Sequence, residues 1–131
     1  MVMGLGTDLC EIRRIAAAIE RPRFLARVYT DRERARILAA PGRRQSEIAA
    51  GLFAAKEAVA KALGTGFDGF GPDAVEILPD GAGRPACALH RGAEARARHL
   101  AGEGWRVHVS ITHEAGMAAA TAILEGREGS P

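Results

Sequence analysis

The stretch Ile48–Gly64, IAAGLFAAKEAVAKALG, constrains this chain more than any other. It is rich in Ala, Leu, Lys and Glu, good helix formers, and it ends on a glycine, a common helix stop. The spacing predicts the longest helix of the chain over 45–63. The only charges in the stretch are Lys56, Glu57 and Lys61. A helix that is apolar nearly all round is normally buried. Its charges then need partners, because an isolated ion away from water is costly. Glu57 and Lys61 lie four residues apart and share a face. One reading is an exposed pair worth about 0.2–0.5 kcal/mol. The absence of any other polar residue in the stretch favours a second reading, a functional pair.

The rest of the chain supplies what packs around that helix. Residues 2–9 (VMGLGTDL) read as a strand, with Met3, Leu5 and Leu9 on one face and Gly4, Gly6 and Asp8 on the other. The two glycines leave room on the Asp8 face for a close approach. A helix is expected at about 11–20, stopping near Pro22, followed by a short basic piece at 23–27. The capping-box pattern Thr30-Asp31-Arg32-Glu33 starts another helix, which stops before Pro41-Gly42. After a glycine-rich loop at 64–74 come a strand pair, 74–78 and 86–89, a helix at 91–101, and a hairpin of 106–112 with 117–124. This order argues for an α+β fold, with helices packed on a mainly antiparallel sheet. One domain over 1–126 is expected, with a frayed tail at 127–131.

Composition agrees with a globular chain: 47% of the 131 residues are apolar and 26% are charged. Cys10 and Cys87 show no metal or redox spacing and are read as reduced. No apolar run is long enough to span a membrane and no signal peptide is evident, so a cytoplasmic protein is expected. The net charge of +2 hides an asymmetry. Residues 13–44 hold ten arginines against Glu20, Asp31 and Glu33, a local balance of +7. Such a segment suits an acidic partner.

Asp8 has two readings of equal standing: a cap for the helix that follows, or a metal ligand. An Asp at a strand end and a Glu on a buried helix suit Mg²⁺, which takes one or two carboxylates plus substrate phosphates. Lys61, one turn from Glu57, would then stabilise developing phosphate charge.

Four blocks occur in order: Gly4-Leu5-Gly6-Thr7-Asp8-Leu9; Phe53-Ala54-Ala55-Lys56-Glu57-Ala58 with Lys61-Ala62-Leu63-Gly64-Thr65-Gly66; Gly83-Arg84-Pro85; and His108-Val109-Ser110-Ile111-Thr112-His113. Together they resemble the signature of the holo-acyl-carrier-protein synthases, the small branch of the 4′-phosphopantetheinyl transferases, over essentially the whole chain. The resemblance implies transfer of 4′-phosphopantetheine from coenzyme A to a serine of an apo acyl carrier protein. The by-product would be adenosine 3′,5′-bisphosphate, and the role one in lipid metabolism. It implies Asp8 and Glu57 as ligands of Mg²⁺ (or Mn²⁺), and Lys61 on the transferring phosphate or the leaving oxygens. The serine's base is left among Glu57, Asp8 and a metal-bound water. It further implies Arg43, Arg44, Gly64, Gly83, Arg84, Pro85 and His113 around coenzyme A, and Arg14, Arg23, Phe24 and Arg27 on the carrier-protein face. A homotrimer with sites at its subunit interfaces is implied as well, with neither nucleic acid nor membrane as partner. One position departs from the pattern. Leu52 stands where the family usually has an arginine for the coenzyme A 3′-phosphate, so a weaker preference for coenzyme A over its dephospho form is expected, unless Arg43, Arg44 or Arg84 compensates.

Two other classes fit parts of the sequence. A non-catalytic binding module would use the arginines and not need Glu57; the scarcity of aromatics in the basic segment disfavours single-stranded nucleic acid. A magnesium-dependent hydrolase would cleave coenzyme A without a carrier protein.

Overall fold

A computed structural model describes residues 1–127. Residues 128–131, most of the expected frayed tail, lie outside the described residues. In chain order the elements are β1 (Val2–Glu11), α1 (Ile12–Ala18), α2 (Pro22–Val28), α3 (Asp31–Ala39), α4 (Arg43–Ala62), β2 (Val75–Pro79), β3 (Pro85–Leu89), α5 (Arg91–Ala101), β4 (Arg106–Glu114) and β5 (Met117–Glu125). The sheet β1-β5-β4 is antiparallel throughout, and β2 with β3 forms a separate hairpin. The architecture is the expected α+β.

One element differs from expectation. Residues 22–28 form a helix, not an irregular basic piece, and Pro22 opens it rather than only ending the helix before it. Proline suits the first helical position, where its missing N–H would have had no partner and its fixed φ is already helical.

Helix α4 is the hub, as its apolar surface requires. It packs on β1 and β5 through small residues on both sides: Ala54, Ala55, Ala58 and Ala62 of the helix, and Ala118, Ala120 and Ala122 of β5, are all buried. The approach to β1 is closer still. A Cβ on Gly4 would collide with the Ala62 carbonyl, and one on Gly6 with the Ala58 carbonyl. The close approach that the glycines foretold is therefore made by α4 itself, and it sets Asp8 beside the last turns of that helix.

Lys56, on the far side of α4, is fully buried. Its Nζ sits 2.7 Å from Glu33 Oε1 and donates to the carbonyls of Pro72 and Val75 at 3.0 and 2.5 Å. Glu33 in turn accepts from the backbone N–H groups of Thr30 and Ile77 at 2.9 and 2.8 Å. Three protons and two carboxylate oxygens are thus satisfied. The expected capping box at Thr30 is present, and its Glu33 also ties α3, α4 and β2 together. A buried charge is tolerable only when paired and hydrogen-bonded in this way.

Candidate active site

Asp8 lies within β1, and Glu11, the residue before α1, makes no side-chain cap. The capping reading of Asp8 is therefore set aside. Asp8 and Glu57 line one cavity of about 550 Å³, together with Glu11, Arg14, Arg21, Phe24 and Phe53. Lys61 Nζ donates to Asp8 Oδ1 at 3.2 Å and to the Thr7 carbonyl at 3.0 Å. Lys61 thus turns to Asp8 across the helix–strand contact, rather than forming an isolated pair with Glu57. Burial, and then the negative charge of Asp8, push the Glu57 carboxyl above its ordinary pKa, while Lys61 partly offsets this. A carboxylate whose charge is disfavoured by burial and by a second carboxylate in the same cavity would welcome a cation. Among the described residues no group of three or more His, Cys, Asp or Glu is arranged to hold a metal. Two oxygen-ligand carboxylates are the number that an ion such as Mg²⁺ takes from protein.

A second cavity, of about 230 Å³, opens on another side of α4. Arg44, Gly83, Pro85 and His113 line it, as does Leu52. His113 Nε2 lies 2.9 Å from the Glu47 carbonyl. A carbonyl only accepts, so Nε2 carries the proton and Nδ1 is left for a ligand. Gly51 makes room for this ring, since a Cβ there would sit 3.0 Å from His113 Nε2. Arg84 is largely exposed and pairs with Asp80 at 3.3 Å, at the rim rather than in the lining. Arg43 opens α4 at the surface, and Gly64 ends it in the left-handed region; neither lines this cavity. His108 is exposed, 2.9 Å from Glu125, and plays no part in either cavity.

The expected docking residues divide. Arg14 lines the carboxylate cavity, while Arg23 and Arg27 line a broad groove of about 1000 Å³ beside Pro72 and Asp73. Phe24 belongs to both, packed on Phe53 with ring centroids 6.1 Å apart. Arg21, which the sequence reading passed over, also lines both and lies over the Phe24 ring, 5.9 Å from its centroid.

Residues 4–120 match the profile of the 4′-phosphopantetheinyl transferase superfamily. A holo-[acyl-carrier-protein] synthase of Solidesulfovibrio magneticus is 53% identical over 129 residues, spanning 96% of this chain and all of its own. The chain belongs to the holo-[acyl-carrier-protein] synthase family. It is an enzyme of that class. A synthase of Clostridium perfringens is 43% identical over 129 residues, covering 96% of each chain. The crystal structure of a Bacillus anthracis holo-(acyl-carrier-protein) synthase in complex with CoA (3′,5′-ADP) superposes with a TM-score of 0.81 at 32% identity, over 97% of this chain and 99% of that one. Besides Arg21, two features of this synthase were not singled out from sequence. Arg36, on α3, lines the second cavity, and Lys56 pairs with Glu33. Arg36 is one of ten arginines in its segment. The Lys56–Glu33 pair joins different helices, and only the lack of other charges on α4 hinted that Lys56 had a partner.

Proposed function

We propose that this enzyme transfers 4′-phosphopantetheine from coenzyme A to a serine hydroxyl of an apo acyl carrier protein. The observation that carries the reading is the cavity shared by Asp8 and Glu57, with Lys61 bonded to Asp8 beside it and Arg14, Arg21 and Phe24 leading on into an arginine-lined groove. In the reaction the serine oxygen forms a bond to the phosphorus next to pantetheine. The bond from that phosphorus to the bridging oxygen breaks, and adenosine 3′,5′-bisphosphate leaves with the electron pair. The serine proton passes to the Asp8–Glu57 pair. Asp8 and Glu57 would hold Mg²⁺, which when bound supplies Lewis-acid charge neutralisation at the pyrophosphate. Lys61 is half-exposed, and exchanges its Asp8 contact for a phosphate oxygen as negative charge develops. Arg14, Arg21, Arg23 and Arg27 steer the acidic carrier, and Phe24 gives it an apolar anchor. Holding serine against phosphorus supplies much of the rate.

Two observations support a homotrimer with composite sites. Met3, Leu5 and Leu9 lie exposed on the face of β1 opposite α4, Leu5 and Leu9 at 65% and 62%. A second copy covering that strip would bury them. The two cavities also use different faces of α4, Phe53 and Glu57 for one and Ile48, Gly51 and Leu52 for the other. Neighbouring copies can then place the carboxylates of one beside the arginine cavity of the next. Among the described residues no helix is long and apolar enough to cross a membrane, and both cysteines are free. Free cysteines suit the reducing cytoplasm, where we place the reaction.

The test is the intact mass of an apo carrier protein incubated with enzyme, coenzyme A and Mg²⁺. A phosphopantetheine adduct that disappears when the metal is chelated is expected. Absence of the adduct under every metal and carrier condition would refute the reading, and cleavage of coenzyme A without carrier would point to a hydrolase.

A further inference from the structure

Arg36 is half-buried on α3 and lines the 230 Å³ cavity opposite Arg44 and His113. Burial, and then the positive charge of Arg44, lower the Arg36 pKa, so the two guanidiniums stand close enough to repel. Glu33 offsets this only in part, and its carboxylate is already engaged by Lys56 at 2.7 Å. Arg44 has Glu47 at 3.7 Å, whereas Arg36 has no ion-pair partner among the described residues. No Asp or Glu among them lines the cavity, and its remaining walls are apolar residues and glycine, Leu52 among them. A half-buried guanidinium sharing an acid-free cavity with a second one is costly unless an anion joins them there.

We propose that Arg36 binds the 3′-phosphate of coenzyme A and sets the enzyme's preference for coenzyme A over dephospho-coenzyme A. The inference rests on the coenzyme A reading above. The pyrophosphate belongs at the Asp8–Glu57 cavity, where the bond is made, so the phosphate left for a separate basic cavity is the phosphomonoester on the ribose. Arg36 and Arg44 offer it planar forks of N–H donors. The expectation of a weakened preference, drawn from Leu52, is thereby revised. The guanidinium comes from α3 instead of from position 52 on α4, and not from Arg43 or Arg84, which lie outside the lining.

The experiment measures KM for coenzyme A and for dephospho-coenzyme A in the wild type, Arg36→Gln and Arg36→Lys, using full-length enzyme and an apo carrier protein. Thermal unfolding of each variant checks that it is folded. A hydrogen bond to a charged group corresponds to roughly a 10- to 100-fold change. Arg36→Gln should raise the KM for coenzyme A by about that factor and should affect dephospho-coenzyme A far less. Arg36→Lys, which keeps the charge but loses the fork, should fall between. Equal effects on both substrates, or no effect on either, would overturn the role of Arg36 while leaving the transferase reading intact. A wild type that transfers nothing from coenzyme A would overturn both. As a second readout, titration calorimetry should show adenosine 3′,5′-bisphosphate losing affinity in Arg36→Gln by a larger factor than adenosine 5′-monophosphate; equal losses count against the proposal.

Discussion

Helix α4 carries two lysine–carboxylate contacts that share a chemistry and differ in everything else. The side chains of Lys56 and Glu33 are 1% and 0% exposed, and every polar group in that pair has a protein partner. Lys61 and Asp8 are 53% and 18% exposed, 3.2 Å apart, at the edge of a cavity that also holds Glu57. The first pair is closed and can do nothing but hold α3, α4 and β2 in place. The second is open: Lys61 holds only Asp8 and Thr7 and Glu57 faces the same cavity, which leaves polar groups there for a ligand. Lys56 and Glu57 are adjacent in sequence, yet the helix turns them about 100° apart, one into the core and one toward the site. A charge on an apolar helix signals a partner; burial decides whether that partner is the protein or a ligand.

Breaking the closed pair should have the largest effect. Lys56→Ala leaves Glu33 buried and uncompensated, and should cost about 3–5 kcal/mol in urea unfolding. Replacing both at once, Lys56→Met with Glu33→Leu, should recover much of that loss; failure to recover would show that the hydrogen bonds to β2, not the charge pair, are what matter. The open site should behave in the opposite way. Glu57→Gln should lower the transfer rate by about 10²–10³-fold, in line with the loss of one group that stabilises the transition state, without loss of stability. Gly6→Ala tests the contact that brings the two regions together. Its methyl would strike the Ala58 carbonyl, so α4 must shift away from β1, at a cost of about 1–3 kcal/mol and some activity. Lys61→Ala should reduce kcat by about tenfold while changing stability by less than about 1 kcal/mol, as for other exposed pairs.

The smallest effect is on pH dependence. The folded protein raises the Glu57 pKa above 4.5, so folding favours the protonated form. Ionising Glu57 therefore costs stability as pH rises through the window that begins at 4.5, and the cost is absent below it. In metal-free buffer Glu57→Gln should melt above the wild type at neutral pH, with the gap closing on acidification. A gap that widens toward low pH would mean that the carboxylate is stabilised, not strained.

Most of the fold was legible because its signals are local. Alternation marked β1, glycines marked the close helix contact, and Thr30 with Glu33 marked the start of α3. Helix α2 was missed because seven residues give little periodicity and Pro22 reads equally well as an end or a beginning. At the site, Glu57 and Lys61 stood out as rare charges, whereas Asp8 needed the family pattern to separate ligand from cap. Arg36 was illegible for a different reason. In sequence it is one arginine among ten, and only the packing of α3 on α4 places it in a cavity with Arg44 and His113. The Lys56–Glu33 pair spans two helices, and nothing in either segment alone specifies it.

The separation of a structural from a chemical pair on one helix is tested most directly by incubating an apo carrier protein, coenzyme A and Mg²⁺ with wild type or Glu57→Gln at a temperature where both are folded, and following carrier mass over time. The expected result is a phosphopantetheine adduct with the wild type and almost none with a variant that melts no lower. An adduct formed by Glu57→Gln at the wild-type rate would contradict it.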